Sequence, residues 1–91
     1  MKRNKAIAHK LLHLIEEHDV DGAGLFRSEL QAHFSQQNKQ LSFEGSLLLV
    51  EYHLELLVSA NFLRFVEEPE NRDMDNFSLT WAGHDELEKA K

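Results

Sequence analysis

Residues 52–63 read Tyr-His-Leu-Glu-Leu-Leu-Val-Ser-Ala-Asn-Phe-Leu, and this stretch decides the fold. It closes a long helix that the spacing predicts over residues 43–60, because apolar side chains recur at intervals of three and four along one face. These side chains are Leu47, Val50, Leu54 and Leu57. Asn61 then stands where a helix ends in a left-handed residue, and Phe62 is expected to fold back on Leu57. The long helix is therefore predicted to stop at this point and to lead directly into a strand.

Two predicted strands follow this helix, over residues 62–67 and 76–80. They are joined by the loop Glu67–Asp75, and their side chains alternate in direction, as in any strand. On the shared face, Leu63 and Phe65 are expected to meet Phe77 and Leu79 across the pair. We call this hairpin, including its loop, the wing.

A helix and a turn are predicted at the start of the chain. Asn4 is expected to cap a first helix that runs to about His18. Residues 19–24, Asp-Val-Asp-Gly-Ala-Gly, have the composition of a turn in which the glycines permit positive φ. Leu25 and Phe26 then either form a short strand or plug the core.

The second and fourth helices are predicted to be shorter. Ser28 and Gln31 have the spacing of a capping box and predict a second helix through about Phe34. Thr80 is expected to cap a last helix. One side of that helix carries Trp81, His84 and Leu87. We expect Trp81 to be buried against the third helix and the wing.

Three helices, a two-stranded wing and a C-terminal fourth helix follow one another in the order of a winged helix. The predicted fold class is therefore mainly α with a small β-hairpin, an α+β arrangement that is winged-helix-like. No internal repeat, low-complexity tract or linker divides residues 1–91, so a single domain is predicted.

Composition and charge limit the possible functions. Of the 91 residues, 42% are hydrophobic, which is enough for one core. There is no cysteine and no apolar run long enough for a signal peptide or a membrane span, so a cytoplasmic location without membrane contact is expected. The formal net charge is −6, whereas proteins that bind phosphate backbones usually have a basic surface.

The surfaces that a winged helix offers to DNA are acidic in this sequence. No Lys or Arg lies between Leu41 and Leu63. The third helix carries Glu44, Glu51 and Glu55. The wing loop places Arg72 among Glu67, Glu68, Glu70, Asp73 and Asp75. Because phosphates repel carboxylates, ordinary DNA contact is disfavoured. Glu44, Glu51 and Glu55 are expected either to form a solvated acidic face or to contact a protein partner.

The third helix also has more apolar side chains than one core needs. Besides the four that face inward, it carries Leu48, Leu49, Tyr52, Leu56 and Val58. Either Leu49, Tyr52 and Leu56 form an exposed surface for a partner, or the first and fourth helices cover the third from both sides. Leu48 and Val58 are expected in the core. An exposed surface predicts a homodimer or a complex with another protein.

One basic cluster stands at the start of the chain. It comprises Lys2, Arg3, Lys5 and Lys10. Cations at the start of a helix oppose the macrodipole, so helix stability does not explain this arrangement. The cluster either contacts phosphate, an acidic partner or the wing, or consists of solvated terminal residues.

Six histidines raise the question of a metal site. His9 and His13 are four residues apart with two glutamates a turn later, but this spacing arises often by chance, and no metal site is predicted. His53 and His84 are expected to be partly buried rings with structural hydrogen bonds. No motif for a catalytic nucleophile or a phosphate-binding loop is present, so no enzyme, cofactor or small-molecule substrate is predicted.

Two segments resemble known families. Residues 52–63 are similar to the junction of third helix and wing in many bacterial winged-helix regulators. Leu79-Thr80-Trp81-Ala82-Gly83-His84-Asp85 with Leu87, together with Met1-Lys2-Arg3, resembles an uncharacterised bacterial and phage family labelled domain of unknown function 2513. The chain departs from that family at Asn4, where Asp is expected, and at Asn61, where Gly is expected. The resemblance implies a winged-helix-like fold and a phage or prophage setting, and it implies no known activity.

These observations favour a non-catalytic interaction or regulatory module that associates with itself and no longer contacts DNA. The alternative is a DNA-binding transcriptional regulator that uses the basic cluster with Arg27, Lys39 or Arg64. The sign of the charge on the third helix and the wing favours the first hypothesis.

Overall fold

The computed structural model describes residues 1–90, which form four α-helices and a small antiparallel sheet. The elements are α1 (Lys5–His18), β1 (Leu25–Phe26), α2 (Arg27–Gln37), α3 (Phe43–Ser59), β2 (Leu63–Val66), β3 (Asn76–Leu79) and α4 (Trp81–Lys89). The wing is residues 63–79 and contains a short 3₁₀ turn, Arg72–Met74. The predicted mainly helical α+β fold is confirmed. Within residues 1–90, no helix is both long and apolar enough to cross a membrane.

The sheet contains one strand more than the predicted hairpin. Its strand order is β1–β3–β2, and both pairs are antiparallel. Leu63 lies opposite Leu79 and Phe65 opposite Phe77, so the predicted register is confirmed. Leu25 pairs with Phe77, and residues 25–26 therefore form the short strand that was one of two alternatives. This order of elements is compatible with a winged helix.

The end of α3 has the structure that its sequence predicts. Asn61 has a φ of 64°, in the left-handed region. The N–H of Phe62 donates to the carbonyl of Leu57 and the N–H of Asn61 donates to that of Val58, both at 3.0 Å. These two bonds form a Schellman motif, which satisfies the last carbonyls of the helix and directs the chain into β2.

The core lies where α1, α2 and α3 meet the sheet. Its buried apolar side chains are Leu11, Leu12, Leu14, Ile15, Leu25, Leu30, Phe34, Val50, Leu54, Leu57, Leu63, Phe77 and Leu87. Three of the four α3 residues predicted to face inward are in this set, and the fourth, Leu47, is partly buried.

The start of α2 differs from the prediction. The helix begins at Arg27, and the N–H of Phe26 donates to Oε1 of Glu29 at 3.0 Å. The N–H of Arg27 donates to the carbonyl of Asp75 at 2.8 Å. Because this tertiary hydrogen bond fixes the helix start at Arg27, the capping box predicted at Ser28 is wrong. The helix also ends later than predicted.

The prediction that Trp81 is buried is wrong, because its side chain is 85% exposed. The residues of α4 that are buried are Gly83 and Leu87, four positions apart on one face. Trp81 precedes Gly83 by two residues, about 200° around the helix, and therefore lies on the solvent side. A Cβ at Gly83 would collide with the carbonyl oxygen of Phe62 and lie 3.0 Å from Cδ2 of Leu79. The helix thus approaches the core at the residue that has no side chain.

Candidate interaction surfaces

The α3 helix has two flanks beside its core face. The apolar flank carries Leu48, Leu49, Tyr52 and Leu56. The flank toward the wing carries Glu51, Glu55 and Val58. Since α4 packs mainly against α1 and β3, it does not cover the apolar flank as one alternative expected.

The apolar flank is only partly covered. Leu48 is 61% exposed, so the prediction that it lies in the core is wrong. It precedes buried Val50 by two residues and therefore points away from the core. The other three residues of the flank are half-buried, which is intermediate between an exposed partner surface and complete coverage by α1 and α4. They are Leu49, Tyr52 and Leu56.

A groove of about 530 Å³ separates α3 from the wing, and we call it the α3–wing groove. Its apolar surface includes Val58, Phe65 and Phe77. Its acidic surface includes Glu51, Glu55, Glu67, Glu68 and Asp75. Of the predicted interaction residues, Glu51 and Glu55 line this groove, whereas Glu44 is exposed in the first turn of α3.

An ion network lies at one side of this groove. Nη1 of Arg27 donates to both oxygens of Glu51 at 2.7 Å, and its Nη2 donates to Oδ2 of Asp75 at 2.8 Å. Arg72 also donates to Glu51, and Nε2 of Gln31 donates to the same carboxylate at 3.0 Å. The network therefore ties the start of α2 and the middle of α3 to the wing.

The network lowers the pKa of both its carboxyl groups. The N–H of Glu68 donates to Asp75 at 2.7 Å, and this bond, with Arg27, holds the pKa of Asp75 below its ordinary value although burial raises it. Burial also raises the pKa of Glu51, but the hydrogen bonds and charges of Arg27 and Arg72 outweigh burial and lower it. The hydrogen bond and charge of Glu51 raise the pKa of Arg72. Within the network both carboxylates are ionised and paired with cations at neutral pH.

The ion network is not evident from the amino-acid sequence. The partners of Arg27 lie 24 and 48 residues away, so no local spacing relates them. Glu51 does not belong to a solvated acidic face, because its carboxylate is half-buried and bound to two guanidinium groups. The sequence pattern that could have indicated the network is Arg27 directly after the apolar pair of β1 and Asp75 directly before β3.

The basic cluster begins on the α1 side of α3. The N–H of Asn4 donates to Nε2 of His53 at 2.9 Å, and the Asn4 side chain caps α1 as predicted. Lys2 is exposed, and Arg3 and Lys5 line a cavity of about 200 Å³ that α1 forms with α3 and α4.

The other basic residues lie apart from these. Lys10 is half-buried and donates to Oδ1 of Asn38 at 3.2 Å. Lys39 lines a separate groove beside α2, and Arg64 is exposed on β2. Arg27 is 6% exposed, so its assignment to DNA contact in the alternative function is wrong. The cations of that alternative are therefore not gathered in one groove.

His53 and His84 differ in their surroundings. His53 is fully buried; its Nε2 accepts from Asn4, so Nδ1 carries the proton and donates to the carbonyl of Leu49 at 2.8 Å. This confirms the structural role predicted for His53. The prediction for His84 is wrong, since its side chain is 56% exposed and lies 3.8 Å from Glu16.

His9 and His13 contact different residues. Nε2 of His9 lies 2.9 Å from Oε2 of Glu86, which joins α1 to α4 and lowers the pKa of Glu86. His13 is 59% exposed and lies 3.8 Å from oxygens of Glu16 and Glu17. Within residues 1–90, no group of three or more possible ligands is placed to hold a metal ion.

Comparison of the chain with protein-family models, curated proteins and solved structures found no match. The resemblance to the family labelled domain of unknown function 2513 therefore stays a prediction.

Proposed function

We propose that the protein is a non-catalytic, winged-helix-like interaction module that presents the α3–wing groove to a protein rather than to DNA. The observation that carries this proposal is the charge of the groove, which is lined by five carboxylates and two guanidinium groups. Both guanidinium groups are held by carboxylates, Arg27 by Glu51 and Asp75, and Arg72 by Glu51. On the face with which a winged helix meets a duplex, each lining cation is thus already paired with a carboxylate, which disfavours contact with phosphates.

Self-association through the apolar flank is part of this proposal. A two-fold interface places the same patch of both copies in contact, so a patch without charge meets no repulsion. The apolar flank has this property, with Leu48 exposed beside half-buried Leu49, Tyr52 and Leu56. A contact between two α3–wing grooves would instead bring carboxylates together. The cysteine-free composition and the family resemblance support a cytoplasmic, phage-associated setting.

Duplex DNA provides the decisive test. We expect fluorescence anisotropy to show no saturable binding at about 150 mM salt, with duplexes taken from the protein's own gene neighbourhood. The basic cluster neutralises about three phosphates, which gives a salt slope of only about −2.7, so weak binding at low salt should disappear. Tight, sequence-dependent binding at the higher salt would instead establish the DNA-binding regulator.

Light scattering coupled to gel filtration tests self-association. At micromolar concentration we expect twice the chain mass of 10.6 kDa. Leu48→Lys should return the monomer mass, because it places a charge at the exposed leucine of the flank. Val20→Lys is the matched control, since Val20 is 94% exposed in the turn after α1 and should leave the dimer intact. A wild-type monomer at high concentration would refute the dimer.

A further inference from the structure

The α3–wing groove leaves apolar surface open to solvent. Phe65 is 39% exposed, and the centroid of its ring lies 5.2 Å from that of Phe77 beneath it. Val58 and Pro69 continue this apolar surface. Exposed aromatic surface inside a groove of about 530 Å³ is suited to receive a side chain of a partner.

The groove also carries negative charge that the ion network does not neutralise. Its five carboxylates exceed its two guanidinium groups by three charges. Arg27 and Arg72 are paired with Glu51 and Asp75. The excess belongs to Glu55, Glu67 and Glu68. Glu55 and Glu67 are exposed, and neither takes part in an ion pair within residues 1–90.

One class of occupant fits both properties. Nucleic acids and acidic peptides carry the same sign of charge as the groove and are repelled. A wholly apolar segment would cover carboxylates without giving them a partner, which is unfavourable. A segment with a cation beside an apolar side chain can pack on Phe65 and pair with Glu55 or Glu67. The exposed ring of Phe65 additionally attracts a cation.

We propose that the α3–wing groove binds a segment of a partner protein in which a Lys or Arg stands next to an apolar residue. This inference rests on the proposed function, because it names the partner of the same surface. The chain's own basic segment starts elsewhere: Asn4 is bonded to His53, whose side chain lies in the core on the side of α3 that faces α1. We therefore assign the groove to a different protein rather than to residues 1–3.

Labelled peptides of about nine residues test the inference by fluorescence anisotropy with the full chain. The first peptide alternates Lys with Leu, the second alternates Lys with Ser, and the third alternates Glu with Leu. We expect the Lys–Leu peptide to bind about tenfold more tightly than the Lys–Ser peptide, and the Glu–Leu peptide not to bind. Equal affinity for the two Lys peptides would show that the apolar surface of the α3–wing groove does not contribute to binding and would overturn the inference.

Charge reversal locates the binding site. The double substitution Glu55→Lys with Glu67→Lys should weaken binding of the Lys–Leu peptide by about tenfold or more. The matched control is Asp85→Lys with Glu88→Lys on exposed positions of α4, which changes the net charge equally and should alter the affinity by less than about twofold. Thermal unfolding by circular dichroism confirms that both variants fold. An equal loss in both would show nonspecific attraction to an acidic protein and overturn the inference.

The remaining outcomes separate this inference from the proposed function. Tight duplex binding at physiological salt refutes the proposed function and the inference together. No duplex binding and no Lys–Leu peptide binding refutes the inference alone. A last experiment compares two double variants, Lys2→Glu with Arg3→Glu and Glu55→Lys with Glu67→Lys. If each variant alone is a monomer and a mixture of the two forms a dimer, the basic segment of a second copy occupies the groove. That result would also overturn the assignment to a different protein.

Discussion

Arg27→Met removes the cation that joins α2 and α3 to the wing. The carboxylate of Asp75, which is 3% exposed, then keeps only the backbone N–H of Glu68 as a hydrogen-bond donor among residues 1–90, and Glu51 keeps Arg72 and Gln31. Removal of one partner of a buried ion pair costs about 3–5 kcal/mol, because the other charge stays buried without compensation. A chain of 91 residues has a total stability of roughly 5–14 kcal/mol at about 0.05–0.15 kcal/mol per residue. The substitution should therefore remove a large part of the free energy of unfolding.

Urea unfolding followed by far-ultraviolet circular dichroism measures this loss. Tryptophan emission is a poor reporter, because Trp81 is already exposed in the folded state. Arg64→Met is the matched control, since Arg64 is exposed on β2 and its replacement should change stability by less than about 0.5 kcal/mol. Adding Asp75→Asn to Arg27→Met should recover part of the loss by removing the unpaired charge. Equal unfolding midpoints for the two arginine variants would refute the reasoning.

Three further predictions concern α4 and the acid range. Trp81→Ala should change the free energy of unfolding by less than about 0.5 kcal/mol, because the side chain is exposed. The tryptophan emission of the folded wild-type protein should resemble that of free tryptophan in water, and strongly blue-shifted emission would contradict the exposed position. Gly83→Ala should lower the free energy of unfolding by about 1–3 kcal/mol, because the added methyl collides with the backbone of Phe62, while unchanged urea stability would show that α4 shifts freely. Glu51 and Asp75 have lowered pKa values in the folded state, so the stability they contribute is present above their unfolded values near about 4 and is lost as pH falls through their folded values. Urea midpoints measured from neutral to acid pH should show this decline, and Glu51→Gln should make it shallower.

Features set by neighbours in the sequence could be predicted. The Schellman end of α3 depends on Asn61 and Phe62, and the cap of α1 depends on Asn4, each within a few residues of the groups it satisfies. The register of the wing follows from side-chain alternation, because a shift by one residue would turn Leu63 and Phe65 to the other face. These signals act at short range, so the sequence alone carries them.

Features that depend on contacts between residues distant in the sequence could not be predicted in this way. Periodicity indicates that α4 has an apolar side and predicts Trp81 on it, but it does not reveal that the helix contacts its neighbours at Gly83. The start of α2 could not be predicted for a related reason, because the hydrogen bond from the N–H of Arg27 to the carbonyl of Asp75 in the wing determines where the helix begins. Of the candidate site, the acidic character of α3 and the wing was visible in the sequence, whereas the groove between them was not.

The ion network and DNA binding are competing uses of the same cation. For Arg27 to contact a phosphate, its guanidinium group would have to leave Glu51 and Asp75, at a cost of about 3–5 kcal/mol. An exposed ion pair gains only about 0–1 kcal/mol in return at physiological salt. The balance therefore keeps Arg27 inside the protein, where it holds the wing against α3. The charges of the groove that have no ion-pair partner within residues 1–90 are those of Glu55, Glu67 and Glu68, and a surface of that sign attracts cations and repels a duplex.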